Sequence, residues 1–159
     1  MARALWAFKY HGRTDIGWRL GTMLGMRCPF APGEHDVVVP VPLHPARLRR
    51  RGFNQAWVLA TPVARRLQVP IVGSRLRRVR PTASQVALPE RDRRRNVRGA
   101  FVVVARRPVA GLRVLLVDDV FTTGATVAEC ARALSAAGAA AVDALTLARA
   151  MAPHAGALG

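Results

Sequence analysis

The 159-residue chain is short of acid, cysteine and aromatic residues, and each shortage removes a class of function. Two cysteines, Cys28 and Cys130, cannot form a disulfide framework or a four-ligand metal centre. Cys130 falls where a helix would bury a small core residue, and Cys28 reads as a free thiol in a Pro-containing loop. Aromatics make up 6% of the chain, too few for an extended stacking platform along a nucleic-acid strand. The apolar runs are broken by Arg113, Asp118, Asp119 and Asp143, so no stretch is long enough to insert into a bilayer. The first residues carry no charged start followed by a clean apolar segment, and a cytoplasmic protein is expected. No repeat, low-complexity tract or Ser-His-Asp pattern is present. What remains is 25 basic against nine acidic residues, a net charge of +16 carried almost wholly by arginine. Such a surface attracts polyanions, and charge alone does not separate nucleic acid from small phosphates.

The stretch from Leu112 to Thr126 organises the rest. Val114 to Val117 is an aliphatic run of the kind that forms a strand buried on both faces, and it ends in two adjacent acids, Asp118 and Asp119. A turn with Thr122, Thr123 and Gly124 follows. Val127, Cys130, Ala131 and Leu134 then recur at helical spacing up to a stop at Gly138. Strand, tight loop and helix present unpaired N–H groups and a positive dipole end to an anion. Gly124 and Ala125 keep the mouth open, and the hydroxyls of Thr122, Thr123 and Thr126 add donors. Asp118 and Asp119 repel phosphate but accept from hydroxyls or sit near a divalent cation. A phosphate, two hydroxyls and a nearby metal describe a ribose 5-phosphate.

These residues resemble the phosphoribosyl pyrophosphate loop of the type I phosphoribosyltransferases, and the surrounding chain is similar to the ComF branch of that superfamily. Pro40-Val41-Pro42-Leu43-His44, an arginine run, and Arg51-Gly52-Phe53-Asn54-Gln55 carry that resemblance, as does the segment with Thr82, Gln85, Glu90-Arg91 and Asn96-Val97. Many ComF proteins also contain a four-cysteine zinc ribbon, which these residues lack. The resemblance implies an α/β type I phosphoribosyltransferase fold with a mostly parallel central sheet flanked by helices. It implies one domain over 1–159, with a small hood in 1–30, a core over 31–150, a flexible lid over 80–99 and a tail from 151.

It also implies roles. Asp118 and Asp119 would act on the ribose, and Thr122 to Thr126 would hold its 5′-phosphate. Pro42, Leu43, His44, Arg47 and Arg51 would hold pyrophosphate, and Arg80, Thr82, Gln85, Arg91 and Asn96 would belong to the lid. Mg2+ would arrive with phosphoribosyl pyrophosphate rather than bind protein directly. A link to DNA uptake or nucleotide metabolism follows from the family, with a homodimer, single-stranded DNA or a DNA-processing protein as further partners. The other reading is a non-catalytic nucleotide sensor or single-stranded DNA-binding accessory protein.

Local pattern completes the expectations. Leu5, Trp6 and Phe8, then Ile16, Leu20, Met23 and Leu24, suggest two helices parted by Gly12, the second capped by Thr14. Lys9 and His11 open a basic patch, and Tyr10 and Trp18 are either core or ring-stacking residues. Val37–Val41 reads as a strand. A helix capped by Asn54 and kinked at Pro62 should follow. Val69–Val72 with a continuation over 75–79, 100–104 and 139–148 read as further strands, and alternation with helices predicts a parallel sheet with ligands at its carboxyl ends.

Overall fold

The computed structural model describes residues 13–82, 90–104 and 109–149; the expectations placed on residues 1–12, on Gln85 and on the tail lie outside them. Three parallel strands form the main sheet in the order β1 (Val37–Pro40), β4 (Arg113–Phe121), β5 (Ala141–Arg149), with β4 in the middle. Val37 to Pro40 run beside Val114 to Val117, and β5 pairs along nearly the whole of β4. A separate antiparallel pair joins β2 (Leu76–Arg78) to β3 (Phe101–Val103). The helices are α1 (Thr14–Met26), α2 (Pro45–Arg51), α3 (Gln55–Leu67), α4 (Glu90–Val97) and α5 (Ala125–Ala136).

Period-two alternation divides the core between the two faces of the sheet. Val38, Leu115 and Val117 join Leu59, Val63 and Leu67 of α3 and Leu20 and Leu24 of α1. Val37, Val39, Val114 and Leu116 join Cys130 and Leu134 of α5, and Leu76 and Phe101 of the small sheet. Both cysteines are buried free thiols. Helices on two faces of a parallel sheet are the architecture expected from the alternating pattern.

Several local expectations are revised. Thr14 is the first residue of α1 and not its cap; Arg13 holds that position without a side-chain cap bond. Asn54 does cap α3, its side chain accepting the Ala56 N–H at 3.0 Å. The helix runs through Pro62, which sits against α1, where a β-carbon on Gly21 would lie 3.1 Å from Pro62 Cγ. The strand expected at Val69–Val72 shrinks to one parallel bridge, Val38 to Ile71, because Gly73 and Ser74 turn the chain into the second sheet. The 80–99 segment, where no periodicity was visible, contains a helical turn and more in α4.

Candidate functional site

The carboxyl ends of β1 and β4 lie side by side, and each opens into a loop. β1 stops at Pro40, and the Val41 N–H still donates to Val117 O at 2.9 Å. Beyond Val117, β4 continues with β5 as its neighbour, so Asp118 and Asp119 lie inside the strand rather than after it. Their stretch of β4 is released from β1 where the two loops diverge. Asp118 Oδ1 accepts the Asp119 N–H at 2.8 Å, which fixes the orientation of the first carboxylate.

The turn Thr122-Thr123-Gly124 delivers the chain into α5. Gly124 has φ +75°, the left-handed region that only glycine enters without strain. A β-carbon there would also lie 2.5 Å from the Phe121 ring. No side chain of Gly124 caps α5, and a helix start presents N–H groups and a positive dipole end that favour an anion. The Thr123 hydroxyl is buried and has no partner among the described residues. Thr123, Gly124 and Ala125 line a cavity of about 600 Å3 whose other wall is Arg94, Arg95 and Arg98 at the end of α4, with Arg132 and Glu129 of α5. Glu129 ties the two walls together, accepting the Gly99 N–H at 2.7 Å and pairing with Arg132 at 2.7 Å. Arg132 and the Gly99 N–H together hold the Glu129 carboxyl below its ordinary value, against the opposing effect of partial burial.

The first loop is built differently. His44 caps α2, its Nδ1 accepting the Ala46 N–H at 3.3 Å, and Pro45 fills the first turn. The start of α2 is thereby satisfied internally, and the charge comes from arginines. His44, Arg47, Arg50, Arg78, Pro81 and Thr82 line a cavity of about 300 Å3. Arg47 donates to Thr82 O at 3.2 Å, and Arg78 donates to the Thr82 hydroxyl. Arg80 reaches Asn96 O at 3.1 Å and Arg98 O at 2.6 Å, joining the two ends of the 80–99 segment.

The residues expected at the pyrophosphate thus divide. His44 and Arg47 enter the arginine cavity, Pro42 and Leu43 line a neighbouring apolar cleft, and Arg51 lines neither. Arg91 lies on α4, its side chain outside the described part. The sequence reading missed Arg78. It is 7% exposed, lies over the Phe101 ring at 5.3 Å, and its Nε has no partner among the described residues. Burial pushes its guanidinium down from the usual range, Arg47 adds to that, and Asp118 acts against it. The signal that could have found it is period-two alternation: Leu76 and Arg78 share the inward face of β2.

The Phosphoribosyl transferase domain is matched over residues 54–155. The chain belongs to the phosphoribosyltransferase family. Within it the chain is of the ComF type: it is 35% identical to Competence protein F of Haemophilus influenzae over 149 residues, 90% of this chain and 65% of that protein. It is 45% identical to the DNA utilization protein YhgH of Escherichia coli over 72% of this chain and 49% of the relative. Competence protein ComFC of Bacillus subtilis is 34% identical over 74% and 46% respectively. The chain therefore spans about half to two thirds of these relatives. Among solved structures, the glutamine phosphoribosylpyrophosphate amidotransferase of B. subtilis shares the fold, with a TM-score of 0.55 at 24% identity over 82% of this chain and 26% of that one. Among the described residues no helix is long and apolar enough to cross a membrane.

Proposed function

We propose that this phosphoribosyltransferase-family chain binds phosphoribosyl pyrophosphate across its two loops and transfers the phosphoribosyl group to a nucleophile, in the cytoplasm, in support of DNA uptake or nucleotide use. The observation that carries this reading is the pairing of unlike anion-receptive loops on adjacent parallel strands, with Asp118 and Asp119 on the strand that leads into the second loop. Phosphoribosyl pyrophosphate has a phosphate at one end, a pyrophosphate at the other and two hydroxyls between.

In that reading the Gly124 loop receives the 5′-phosphate on backbone amides and the Thr122, Thr123 and Thr126 hydroxyls. Asp118 and Asp119 accept from the ribose hydroxyls. The C1–O bond breaks with both electrons going to pyrophosphate, the nucleophile forms the new bond to C1, and the ring passes through an oxocarbenium-like state. The two carboxylates favour the positive charge there, and Arg47, Arg50 and Arg78 favour the leaving group. No group of three or more His, Cys, Asp or Glu among the described residues could hold a metal alone. The carboxylates of Asp118 and Asp119 suit a hard cation brought in by the ligand and held mainly by phosphate and water oxygens beside them. Mg2+ held in that way would supply charge neutralisation on the pyrophosphate.

Calorimetric titration of phosphoribosyl pyrophosphate with Mg2+ tests the proposal. Saturable binding should disappear in an Asp118→Asn, Asp119→Asn double variant; absence of binding to the folded wild type would sink it. A second reading, a nucleotide sensor or single-stranded DNA-binding accessory protein, is supported by the +16 charge and by relatives named for competence and DNA utilization. Substituting Arg49 and Arg50 would then flatten the salt dependence of DNA binding, whereas the aspartate variant would leave it unchanged.

A further inference from the structure

The cleft beside the arginine cavity shares only Arg78 with the residues given roles in the transfer proposed above. It encloses about 530 Å3 between α2, α3 and β2, within the range of small-molecule sites, and Leu43, Leu48, Phe53, Trp57 and Leu76 give it apolar walls. Trp57 is 44% exposed, unusual for a side chain of that size. It is nevertheless held in place. A β-carbon on Gly73 would lie 2.3 Å from Trp57 Cζ3 and 2.8 Å from Cε3, so the six-membered ring rests against the Gly73 backbone where any other residue would displace it. A ring already immobilised loses little freedom when a second flat ring stacks on it.

One end of the cleft is cationic. Arg77 and Arg78 line it, and Arg78 also lines the arginine cavity with His44, Arg47 and Arg50. A 7% exposed guanidinium whose Nε has no partner among the described residues therefore stands at the junction of an apolar cleft and an anion pocket. A buried cation left short of partners is costly unless something anionic completes its set.

We propose that this cleft is a nucleotide site, with the heterocycle stacked on Trp57 and the phosphate reaching Arg78 at the boundary. The ring supplies the preference for an aromatic ligand and the arginines the preference for an anion, and both line the same cleft. A free nucleoside monophosphate and one nucleotide of a single strand share that chemistry. The site stands without the phosphoribosyl pyrophosphate reading. Because Arg78 borders both cavities, a bound nucleotide and bound pyrophosphate weaken each other.

The test is titration of the whole chain with AMP and, separately, with a short oligothymidylate, read by calorimetry and tryptophan fluorescence. Saturable binding of either probe, weakened roughly tenfold or more by Trp57→Ala, partly restored by Trp57→Phe and antagonised by inorganic pyrophosphate, is the expected result. AMP binding assigns the site to free nucleotides, and binding of the oligomer alone assigns it to a strand. Trp57 is exposed on a helix, so the alanine variant should fold, which circular dichroism checks. The Asp118→Asn, Asp119→Asn variant should retain this binding, which separates its failure from failure of the transferase reading. Binding of neither probe to folded wild type, or equal binding by Trp57→Ala, overturns the proposal. So does a self-association that Trp57→Ala abolishes while neither probe binds, since the cleft would then be a contact between two copies.

Discussion

The two loops at the head of the sheet solve one electrostatic problem with opposite means. After β4, the chain meets an anion with backbone: a left-handed glycine, small residues and an uncapped helix start. After β1, the corresponding helix start is closed by His44 and Pro45, and attraction comes from guanidinium groups gathered from α2 and β2. A backbone site depends on the shape of one short segment, so a single side chain in the wrong place destroys it. A side-chain site depends on convergence, so removing one member weakens it and leaves the fold intact.

The largest expected effect breaks the backbone site. Gly124→Val forces a β-branched residue to φ +75° and drives its β-carbon into the Phe121 ring, 2.5 Å away in the present geometry. Strain of about 1–3 kcal/mol, with the ring displaced, should lower affinity for phosphoribosyl pyrophosphate on the order of a hundredfold and lower Tm as well. Calorimetry and thermal melting read both. Next comes Arg78→Met, which keeps length and apolar stem while removing the buried charge. Loss of a charge-assisted contact worth about 1.5–3 kcal/mol should cut affinity tenfold or more. Tm should hold or rise, because an incompletely partnered buried cation goes with the charge. A fall in Tm as large as that of Gly124→Val would erase the distinction between the two loops and make Arg78 a structural residue.

The same contrast explains what could be read in the sequence. Val114 to Val117, the acid pair, the Thr-Thr-Gly turn and the spacing of Cys130 and Leu134 are contiguous, so local pattern reveals strand, loop and helix together. The acids were expected after the strand; they lie within it because β5 continues to pair where β1 has stopped. The arginine cavity could not be read so. Arg47 and Arg78 are separated by α3 and meet only when β2 leaves the main sheet at Gly73, a departure that tertiary packing decides. Helix α4 was hidden for another reason: it is so rich in arginine that it has no apolar stripe, and contacts such as Glu129 to Gly99 hold its end in place.

That contact gives a smaller effect and sharpens the comparison by asking whether the phosphate loop also relies on convergence. Glu129→Ala removes the acceptor of the Gly99 N–H and the partner of Arg132, and should cost about 1–2 kcal/mol of stability. Glu129→Gln keeps an acceptor and loses the ion pair, so its cost should be smaller. Because the Glu129 carboxyl is held below its ordinary value of 4.5, the stabilisation is complete above that pH and is lost as pH falls through the lowered value. Denaturant melts from pH 7 down to pH 3 should show wild type and Glu129→Gln converging. If either variant also weakens phosphoribosyl pyrophosphate, the arginines at the end of α4 belong to the phosphate site.

The smallest effect belongs to the opposite end of the same two strands, where no ligand is expected. Asp36 accepts from the Arg113 N–H at 2.7 Å and from its guanidinium at 2.8 Å, and the Asp36 N–H donates to Arg113 O at 2.9 Å. These three contacts lock the entrance of β1 to that of β4 and set the register that brings their far ends together. The Arg113 guanidinium, and then its N–H, lower the Asp36 carboxyl to about 2. Its contribution is therefore present above 3.8, the ordinary value, and disappears as pH falls toward 2. Both side chains are a third or more exposed, so water screens the pair and the contribution is small. Asp36→Asn should lower Tm slightly at neutral pH, have no effect near pH 2, and leave ligand binding at the other end untouched. A loss of binding in that variant would mean that the loops do not take their positions from the strands alone but from a register that this distant pair maintains.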